Sequence, residues 1–327
     1  MSQPNLTTRL NQSTVICGGD PTLYSTEAWY WILRGLIAFI TIFGNGLVIY
    51  LVSFRKPLRD QPSPNWFVMS LALADFCVGA FNFPTMFVYA FTFNCFSQPS
   101  SWTWPILGFC MNVFLDASIT NLTLLTLDRY LAVVHPFTYE SFMTSSRAAG
   151  MIVSAWGITV ILEIPYLVLD IQRAGDEAYT IHLWLYMVIF TFLPCVFMLY
   201  AYTRILIVAR RHRKEISARL KRMASFSEST DVALAQRGNK NGAMYTVGII
   251  VGIFLLCNSF VQYRLSCFLS PSCSMSAAES YLFLLLRYAN SAPNFIVYAF
   301  MKSDFRREIY ALYKKKGRLA AVRRYAK

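Results

Sequence analysis

Seven long apolar runs constrain the fold of this chain more than any other feature of its sequence. A helix needs about 20 apolar residues to cross a bilayer, and each run reaches that length. Because these runs do not alternate polar and apolar residues, they predict helices rather than barrel strands. The runs are Trp29–Val52, Asn65–Phe91, Pro105–Val134, Ala148–Val168, His182–Val208, Gly242–Phe268 and Ala278–Phe300.

The composition agrees with a membrane protein. The chain is 56% hydrophobic and 14% charged, whereas soluble domains average about 45–50% apolar and about 25% charged residues. Its net charge of +13 does not indicate nucleic-acid binding, because the basic residues lie between the apolar runs. None of the eight cysteines belongs to a CxxC pair, and the chain has only three histidines. No metal site is therefore predicted.

The basic residues also predict which loops face the cytosol. Lys and Arg are concentrated after the first run, between the fifth and sixth runs, and in the C-terminal tail. The positive-inside rule therefore places the N-terminus outside the cell and the C-terminus in the cytosol. Two glycosylation sequons, at Asn5 and Asn11, agree with an N-terminus on the outside.

We therefore expect three parts in a multi-pass plasma-membrane protein. Residues 1–27 form an extracellular tail, residues 28–300 form the helix bundle, and residues 301–327 form an amphipathic helix and a basic cytosolic tail. In the last part Phe305, Ile309 and Leu312 recur at helical spacing between basic residues, as in a helix lying on a membrane surface. The alternative is a disordered basic tail.

Asp128, Arg129 and Tyr130 stand at the cytosolic end of the third run. Charged residues in spanning segments are costly and usually functional, and an arginine at a helix end can reach interfacial water. Arg129 can form a local ion pair with Asp128 that keeps the inner mouth of the bundle closed. The alternative is an arginine that only anchors the helix.

Further polar residues lie at similar depths in four of the apolar runs. A carboxylate in the middle of an apolar helix, such as Asp75, must be neutral, paired or solvated. These residues predict one internal polar cluster that holds water or a cation, or alternatively a hydrogen-bonded network that joins the helices. The cluster consists of Asn45, Asp75, Ser118, Asn290, Ser291 and Asn294.

The ordered motifs resemble those of the rhodopsin-like (class A) G-protein-coupled receptors over nearly the whole chain. The matching residues are Gly44-Asn45, Leu71 to Asp75, Ser118, Asp128-Arg129-Tyr130 with His135-Pro136, Trp156, Pro194 with Tyr202, and Asn290-Ser291 with Asn294 and Tyr298. The resemblance implies an all-α seven-transmembrane helix bundle with a short amphipathic cytosolic helix after the seventh span.

The same resemblance implies a function. A receptor of this family couples an extracellular ligand to heterotrimeric G proteins through a rearrangement of its helices. It needs no cofactor, although five residues match the positions that bind a sodium ion in the inactive state: Asp75, Ser118, Asn290, Ser291 and Asn294. On activation Arg129 is expected to move inward and to meet Tyr202 and Tyr298.

Two intramembrane motifs depart from the family pattern. Asn258 and Phe260 replace the usual tryptophan and proline of the sixth helix, so that helix is expected to be straighter, because proline kinks a helix. In the seventh helix Pro293 precedes Asn294 instead of following it. The kink there is therefore expected to shift by about two residues, roughly 3 Å along the axis.

The cysteines depart as well. Trp104 stands where the family has a third-helix cysteine, and the loop at 169–181 has none, so the usual disulfide cannot form. Cys267 and Cys273 flank the last outer loop and are the best local pair, and Cys17 with Cys95 is a further candidate pair. The chain resembles the melanocortin receptors in two features. Its second outer loop is short and has no cysteine, and cysteines lie near its third outer loop.

Charged residues in the outer halves of three runs are functional-site hypotheses. These residues are Glu163, Arg264 and Arg287. An anionic or peptide ligand suits the two arginines, or alternatively the arginines pair with Glu163, Glu279 or lipid headgroups. Met111 occupies the position of the amine-receptor aspartate, and Tyr288 that of the opsin lysine, so neither a typical amine nor retinal is expected. The pocket candidates are Met111, Phe114, Glu163, Tyr263, Arg264, Arg287 and Tyr288.

Two other functions compete with ligand-controlled signalling. A receptor-like protein with constitutive or ligand-independent activity fits the altered sixth helix, and a transporter fits the spans but shows no repeated halves. No nucleophile–base pair indicates an enzyme. The expected partners are a heterotrimeric G protein, an extracellular ligand and the lipid bilayer, and no nucleic acid.

Overall fold

The computed structural model describes residues 28–59, 64–92, 102–172, 175–224, 248–249, 251–264, 266–267, 273, 275–296, 304–312 and 314. Within these residues the structure is helical and contains no strand. Helix α1 spans Ala28–Phe54, α3 spans Thr103–Val134 and α4 spans Ser145–Gln172. Helix α2 runs through Pro64–Cys77, Val78–Asn82 and Phe83–Thr92, and α5 runs through Asp176–Tyr186, Met187–Phe192 and Leu193–Ala224.

The last three helices are α6, α7 and α8. Helix α6 covers the helical residues at 248–249, 251–264 and 266–267. Helix α7 spans Ala277–Ala289, and after a turn at 290–292 it continues over 293–296. Helix α8 covers 304–312. Two short helices, Lys56–Arg59 and Pro136–Phe142, follow α1 and α3.

Five helices in the described part of the chain are long and apolar enough to cross a membrane. They are Ala28–Phe54, Asn65–Phe87, Pro105–Val134, Ser145–Gln172 and Glu177–His212. These five correspond to the first five predicted spans, and α6 and α7 lie in the last two. The all-α, seven-transmembrane architecture predicted from the sequence is therefore confirmed.

Helix α1 shows how the sequence sets the inward and outward faces of the bundle. Its buried residues recur every three or four positions, which is one face of an α-helix: Tyr30, Arg34, Ala38, Thr41, Asn45, Val48 and Leu51. The opposite face carries large apolar side chains that are exposed in the protein alone: Ile32, Leu36, Phe39, Phe43 and Leu47. Contiguous exposed apolar surface of this kind suits contact with lipid.

The main core lies towards the end of the bundle at which α1 and α3 end. We call this the Arg129 end of the bundle, and we call the opposite end the Arg34 end. Phe67 of α2, Leu125 of α3 and Phe254 of α6 are buried there together with Phe305 of α8. The same cluster contains residues of α1, α4 and α5. This core fixes the ends of the helices around Asp128 and Arg129.

Two helices contain a π-helical turn that the sequence did not lead us to predict. The turns are Val78–Asn82 in α2 and Met187–Phe192 in α5. Each turn lies just before a proline, Pro84 or Pro194. Proline has no N–H, and its ring crowds the carbonyl four residues earlier, so a wider turn accommodates it.

Helices α6 and α7 differ in continuity, as their proline positions predict. Helix α6 is continuous over 251–264, with Phe260 in place of the family's proline, and the Phe260 ring stacks on Phe283 of α7 at 5.7 Å. Helix α7 breaks at 290–292, immediately before Pro293. The break brings Asn290 and Ser291 to the middle of the bundle.

Helix α8 packs against the Arg129 end of α1 and α2. Phe305 is fully buried, and Ile309 and Leu312 pack on the same core, whereas Tyr310 is 68% exposed. Arg55 Nε donates to Glu308 Oε2 at 2.6 Å, so an ion pair also joins α8 to the end of α1. The predicted amphipathic helix is therefore confirmed over the described residues.

Candidate functional site

Asp128 and Arg129 form an ion pair at the end of α3. Arg129 Nε donates to Asp128 Oδ2 at 2.8 Å, and the Arg129 Nη2 contacts the same oxygen. Asp128 is fully buried, and its Oδ1 accepts a hydrogen bond from the Tyr139 hydroxyl at 2.8 Å. Tyr139 belongs to the short helix after α3. We call these three residues the Asp128 clamp, because both carboxylate oxygens are held.

Two of the aromatic residues predicted to act with Arg129, Tyr130 and Tyr202, have contacts in the described part of the chain. The Tyr130 ring packs against His135 at 5.7 Å and Tyr200 at 6.0 Å, on the side of α5. The Tyr202 hydroxyl lies against the backbone of Gly248, where an added Cβ would overlap it. Tyr202 therefore packs directly on α6, and Tyr298 lies outside the described residues.

The structure brings the predicted polar cluster around Asp75 together. Asp75 is fully buried; Ser118 Oγ donates to its Oδ1 at 2.6 Å, and Asn294 Nδ2 donates to its Oδ2 at 2.7 Å. Asn45 Nδ2 donates to the Ser291 carbonyl at 3.2 Å. The Asp75 carboxylate therefore joins α2, α3 and α7, and the Asn45 amide joins α1 to α7.

A cavity lies between this cluster and the side chains of Tyr186 and Arg287. Ser118, Asn290 and Ser291 line it together with Asn258, which occupies the place of the family's tryptophan. Asn45 Oδ1 is also buried and finds no hydrogen-bond partner in the described part of the chain. Carboxylate, hydroxyl and amide oxygens are the ligands that hard cations prefer, so the residues present fit a sodium ion. Among the described residues no group of three His, Cys, Asp or Glu side chains could hold a metal ion.

A third cluster joins α3, α5 and α7 nearer the Arg34 end. The Tyr186 hydroxyl donates to Asp116 Oδ1 at 2.9 Å and accepts from Arg287 Nη2 at 2.8 Å. Asp116 is fully buried. A single hydroxyl therefore links a buried acid on α3 to an arginine on α7.

Glu163 of α4 is the fourth member of this acid–arginine cluster, which consists of Asp116, Glu163, Tyr186 and Arg287. Its carboxyl is fully buried and faces the Asp116 carboxyl. The Glu163 and Asp116 carboxyls lie close enough to share a hydrogen bond when one of them is protonated, and the Asn112 side chain lies beside Glu163. Two adjacent buried carboxylates repel each other, and a shared proton or a nearby cation relieves the repulsion. Arg287 is the cation placed beside them.

One alternative prediction was that Arg264 and Arg287 form direct ion pairs with Glu163 or Glu279. The described contacts are different. Arg287 bonds to Tyr186 and not directly to Glu163. Arg264 Nε donates to Ser280 Oγ at 3.2 Å. Glu279 instead caps the start of α7, where its side chain and that of Ser276 each accept the other's backbone N–H.

The remaining pocket candidates divide between the inside and the outside of the bundle. Met111 and Tyr288 are buried, and Phe114 packs on Phe81 of α2 at 5.5 Å. Tyr263 was predicted to line the pocket, but it is 58% exposed and packs edge-on against Phe283. Tyr263 is therefore not part of the buried cluster, and its place in a ligand pocket stays a prediction.

Three residues that matter to these sites were not singled out from the sequence: Arg34, Tyr139 and Tyr186. Arg34 is a charged residue inside the first apolar run, the same signal that identified Arg287, so it could have been found. Tyr139 lies after His135-Pro136 and Tyr186 lies in an aromatic-rich run. Neither tyrosine has a sequence signal that separates it from its aromatic neighbours.

The structure joins Cys267 and Cys273 by a disulfide, across a separation of six residues. Cys17, Cys95, Asn5 and Asn11 lie outside the described residues. Asn121, which stands in a third sequon, is buried on α3 and accepts a hydrogen bond from Ser70 Oγ at 2.6 Å. Trp156 of α4 donates to the same Ser70 hydroxyl at 3.0 Å, so this asparagine is part of the packing between helices.

The sequence is similar to a large family of membrane receptors. The family profile described as 7 transmembrane receptor (rhodopsin family) matches residues 44–298. The chain is 30% identical to Adenosine receptor A2b from Bos taurus, over 87% of this chain and 89% of that protein. It is 30% identical to Histamine H2 receptor from Rattus norvegicus, over 82% of this chain and 74% of that protein.

A third relative matches over a similar share of both chains. The chain is 27% identical to Trace amine-associated receptor 13c from Danio rerio, over 87% of this chain and 85% of that protein. The matches cover the spans that carry the Asp75 cluster and the Asp128 clamp. The chain therefore belongs to the rhodopsin family of seven-transmembrane receptors and is a multi-pass plasma-membrane G-protein-coupled receptor, not an enzyme.

Proposed function

We propose that an extracellular ligand acts on the acid–arginine cluster and that the Asp128 clamp then opens for a heterotrimeric G protein. In this proposal residues 1–27 are extracellular and residues 301–327 are cytosolic. Asp116 and Asp128 lie on the same helix, roughly 18 Å apart along its axis at 1.5 Å per residue. Helix α3 therefore connects the two sites, and the closed clamp, with both Asp128 oxygens held, is the observation that carries the proposal.

The opening step moves Arg129 away from Asp128. In the resembling family the arginine then meets the tyrosines at the positions of Tyr202 and Tyr298. Here the Tyr202 hydroxyl packs on the Gly248 backbone, so Tyr202 can turn inward only when α6 moves. A ligand drives this change to the extent that it binds the open arrangement more tightly than the closed one.

The charges of the cluster distinguish its ligand from those of the relatives. These relatives are named for trace amines, adenosine and histamine. In this chain Met111 occupies the position of the amine-receptor aspartate, and the acids Asp116 and Glu163 lie beside Arg287. Arg264 donates to the neutral Ser280 hydroxyl and forms no ion pair with a described acid. An anionic or peptide ligand is therefore proposed to bind Arg264, with Arg287 beside it.

The Asp75 cluster is proposed to bind a sodium ion in the closed state. The Asp75 carboxylate and the Ser118, Asn294 and Ser291 oxygens would hold it, and the ion would supply the counter-charge of Asp75. The test is basal activity measured against sodium concentration. Lower activity at high sodium in the wild type but not in Asp75→Asn supports the site, and identical curves remove the ion from the mechanism.

The coupling role of the clamp is tested with two opposite substitutions. Basal second-messenger production is measured for the wild type, Arg129→Ala and Asp128→Asn at equal surface expression. Asp128→Asn is expected to raise basal signalling because it frees Arg129, and Arg129→Ala is expected to abolish it. Loss of folding alone lowers both, and equal signalling by all three proteins contradicts the proposal.

The same cells separate the competing functions. A wild type that signals strongly without any added ligand identifies a constitutive receptor. A solute flux that is unchanged in Arg129→Ala identifies a transporter. A silent wild type that responds to a ligand, with the response lost in Arg287→Gln, identifies the ligand-controlled receptor proposed here.

A further inference from the structure

Two acidic side chains meet in the interior of the bundle, Asp116 of α3 and Glu163 of α4. Each is 0% exposed, and their carboxyls lie within hydrogen-bond range of each other. Neither forms an ion pair within the described residues. Two ionised carboxylates in such a place repel each other, and both have lost the water that would solvate their charge.

Arg287 can balance one of these two acids but not both. Its guanidinium carries one positive charge, and its Nη2 donates to the Tyr186 hydroxyl at 2.8 Å. The same hydroxyl donates to Asp116 Oδ1 at 2.9 Å, so Arg287 and Tyr186 together stabilise Asp116 in its ionised form. No such link reaches Glu163 within the described residues. A negative charge on Glu163 would therefore be left unbalanced.

A proton on Glu163 satisfies the remaining atoms of the pair. Asp116 Oδ2 is buried and receives no hydrogen bond from another described group. A neutral carboxyl has an O–H donor that an ionised one lacks, so a protonated Glu163 can donate to this oxygen. The Asn112 side chain lies within hydrogen-bond range of the Glu163 carboxyl and can donate to its other oxygen.

We propose that Glu163 is a proton-binding site and that its proton, donated to Asp116, holds α3 and α4 together in the closed receptor. When this proton leaves to water, two carboxylates face each other and the contact between the helices is weakened. The role of the proton in signalling rests on the proposed function above, because α3 also carries the Asp128 clamp. Proton binding to Glu163 can be measured without any signalling.

Four titratable groups face Glu163. Asp116 belongs to α3, Tyr186 to α5, Arg287 to α7, and Tyr166 lies one turn further along α4. Tyrosine and arginine side chains do not ordinarily change charge below about pH 9, and Asp116 stays ionised through its link to Arg287. Glu163 is therefore the member of this group whose charge responds to pH.

A row of side chains on α4 connects Glu163 with the Arg34 end of the bundle. Tyr166 and Asp170 lie three and seven residues after Glu163, which places all three on one face of the helix. Tyr166 lies close enough to both acids to interact with their charges. Asp170 is half-buried and accepts a hydrogen bond from the Tyr179 hydroxyl at 3.1 Å. This face of α4 provides a route for a proton between solvent and Glu163.

The first experiment follows the thermal unfolding of the full-chain receptor in detergent, at a constant sodium concentration. The pH is varied between about 6 and about 8, where glutamate in an unfolded chain is ionised. Because the folded state then binds one proton more than the unfolded chain, this group lowers the folding equilibrium constant about tenfold for each unit that the pH rises. Glu163→Gln keeps a donor to Asp116 but binds no proton, so its Tm is expected to fall less with rising pH than the wild-type Tm.

Two control variants assign the effect to Glu163. Glu177→Gln removes an exposed glutamate at the Arg34 end of α5 and should reproduce the wild-type pH dependence. His182→Asn removes a histidine whose ring packs on Tyr166 at 5.9 Å. Histidine is the side chain that ordinarily changes charge in this pH range, so this variant tests a second source of the effect. It should also keep the wild-type dependence.

Infrared spectroscopy provides a measurement that does not require Glu163→Gln to fold. A protonated carboxyl has a C=O stretching band that an ionised carboxylate lacks. This band is expected at neutral pH in Asp75→Asn, a variant in which the buried carboxyl of the Asp75 cluster makes no contribution. Where Glu163→Gln folds, the band should be lost when this substitution is combined with Asp75→Asn.

Three results overturn the proposal. The first is a Tm that depends on pH equally in the wild type and in Glu163→Gln. The second is a wild-type pH dependence that disappears in His182→Asn, which identifies the histidine as the titrating group. The third is the absence of the infrared band from Asp75→Asn at neutral pH.

Signalling tests the regulatory role separately. Basal second-messenger production should rise with extracellular pH in the wild type and stay constant in Glu163→Gln, because only the wild type can lose the proton. Equal pH dependence in both proteins overturns this role. If the infrared band and the Tm behave as expected while the Asp128 and Arg129 variants signal like the wild type, the proton site is supported and the proposed function fails.

Discussion

The Tyr139 hydroxyl donates a hydrogen bond to Asp128 Oδ1 at 2.8 Å, so the loop after α3 holds the acid of the clamp directly. Arg129 Nε donates to the other carboxylate oxygen, Asp128 Oδ2. The closed state is therefore stabilised by two partners on different segments, and both contacts are expected to break when the clamp opens. Tyr139 sets how readily the clamp opens.

Tyr139→Phe is therefore expected to raise basal signalling. A hydrogen bond to a charged group contributes about 1.5–3 kcal/mol when it is buried. The bond here is only partly buried, so about 1 kcal/mol is expected, which is roughly a fivefold shift towards the open state. The measurement is ligand-free second-messenger production at equal surface expression.

The matched control for this prediction is Tyr50→Phe. Tyr50 is 44% exposed on α1 and packs only against its neighbour Phe54 among the ring contacts described. Removing its hydroxyl should leave basal signalling unchanged. If Tyr139→Phe and Tyr50→Phe signal alike, the hydrogen bond to Asp128 has no part in keeping the receptor closed.

Apolar periodicity predicted which side chains are buried, because a helix face repeats every 3.6 residues. Phe305 and Ile309 on α8 lie where that spacing places them, and the residues of the Asp75 cluster meet although they come from four helices. The positions of these residues within the apolar runs predicted that they lie at a similar depth in the membrane. The break before Pro293 also follows from a local rule, since proline removes one backbone hydrogen bond.

Contacts that depend on helix rotation were not predictable. The sequence places Tyr186 and Arg287 in the same half of the bundle, but it does not show that one hydroxyl links Arg287 to Asp116. Tyr263 is adjacent to Arg264 in sequence yet turns outward, because successive helical residues differ by about 100° in direction. The π-helical turns add a further rotation before Pro84 and Pro194 that no periodicity reveals.

The linkage of Asp116 to Arg287 through Tyr186 predicts non-additive stability changes. Asp116→Asn and Arg287→Gln should each lower the Tm of the purified receptor, because each leaves a buried charge without its partner, at a cost of about 3–5 kcal/mol for a directly paired buried group. The double variant should lose less than the sum of the two single variants, since both ends of the Tyr186 link are then neutral and the remaining buried acid, Glu163, can take a proton.

A distant pair provides the reference for this cycle. Arg147 is exposed on α4 at the Arg129 end and stacks on Phe142, far from the acid–arginine cluster. Asp116→Asn combined with Arg147→Gln should show additive losses of Tm. Additive losses in the Asp116→Asn, Arg287→Gln double variant as well would show that Tyr186 transmits no interaction between the two charges.

Gly44 on α1 is expected not to tolerate a side chain. A Cβ there would overlap the ring of Phe295 on α7, so Gly44→Ala forces α1 and α7 apart and should destabilise the receptor by about 1–3 kcal/mol. Phe295→Leu shortens the opposing side chain and should recover most of the loss in Gly44→Ala. Thermal unfolding of the three variants measures this relief.

Gly157 provides the matched glycine. A Cβ at Gly157 on α4 meets no atom within 4 Å, and alanine favours a helix by about 0.8–1.0 kcal/mol over glycine. Gly157→Ala should therefore leave the Tm unchanged or raise it. A loss of Tm equal to that of Gly44→Ala would show that a general effect of replacing glycine in these helices, and not the contact with Phe295, explains the result.

Phe305→Ala is expected to detach α8 without unfolding the bundle. Removing a fully buried phenylalanine costs about 3–5 kcal/mol when the surrounding structure cannot relax. Helix α8 is short, so it can undock locally at a lower cost than this, and the Arg55–Glu308 ion pair alone, with Arg55 29% exposed, contributes about 1 kcal/mol or less. Hydrogen exchange of residues 304–312 should therefore accelerate in Phe305→Ala while the Tm changes little.

Tyr310→Ala, at a 68% exposed position of the same helix, should leave the exchange unchanged. Slow exchange that persists in Phe305→Ala would mean that the ion pair and the apolar contacts of Ile309 and Leu312 hold α8 without the buried ring.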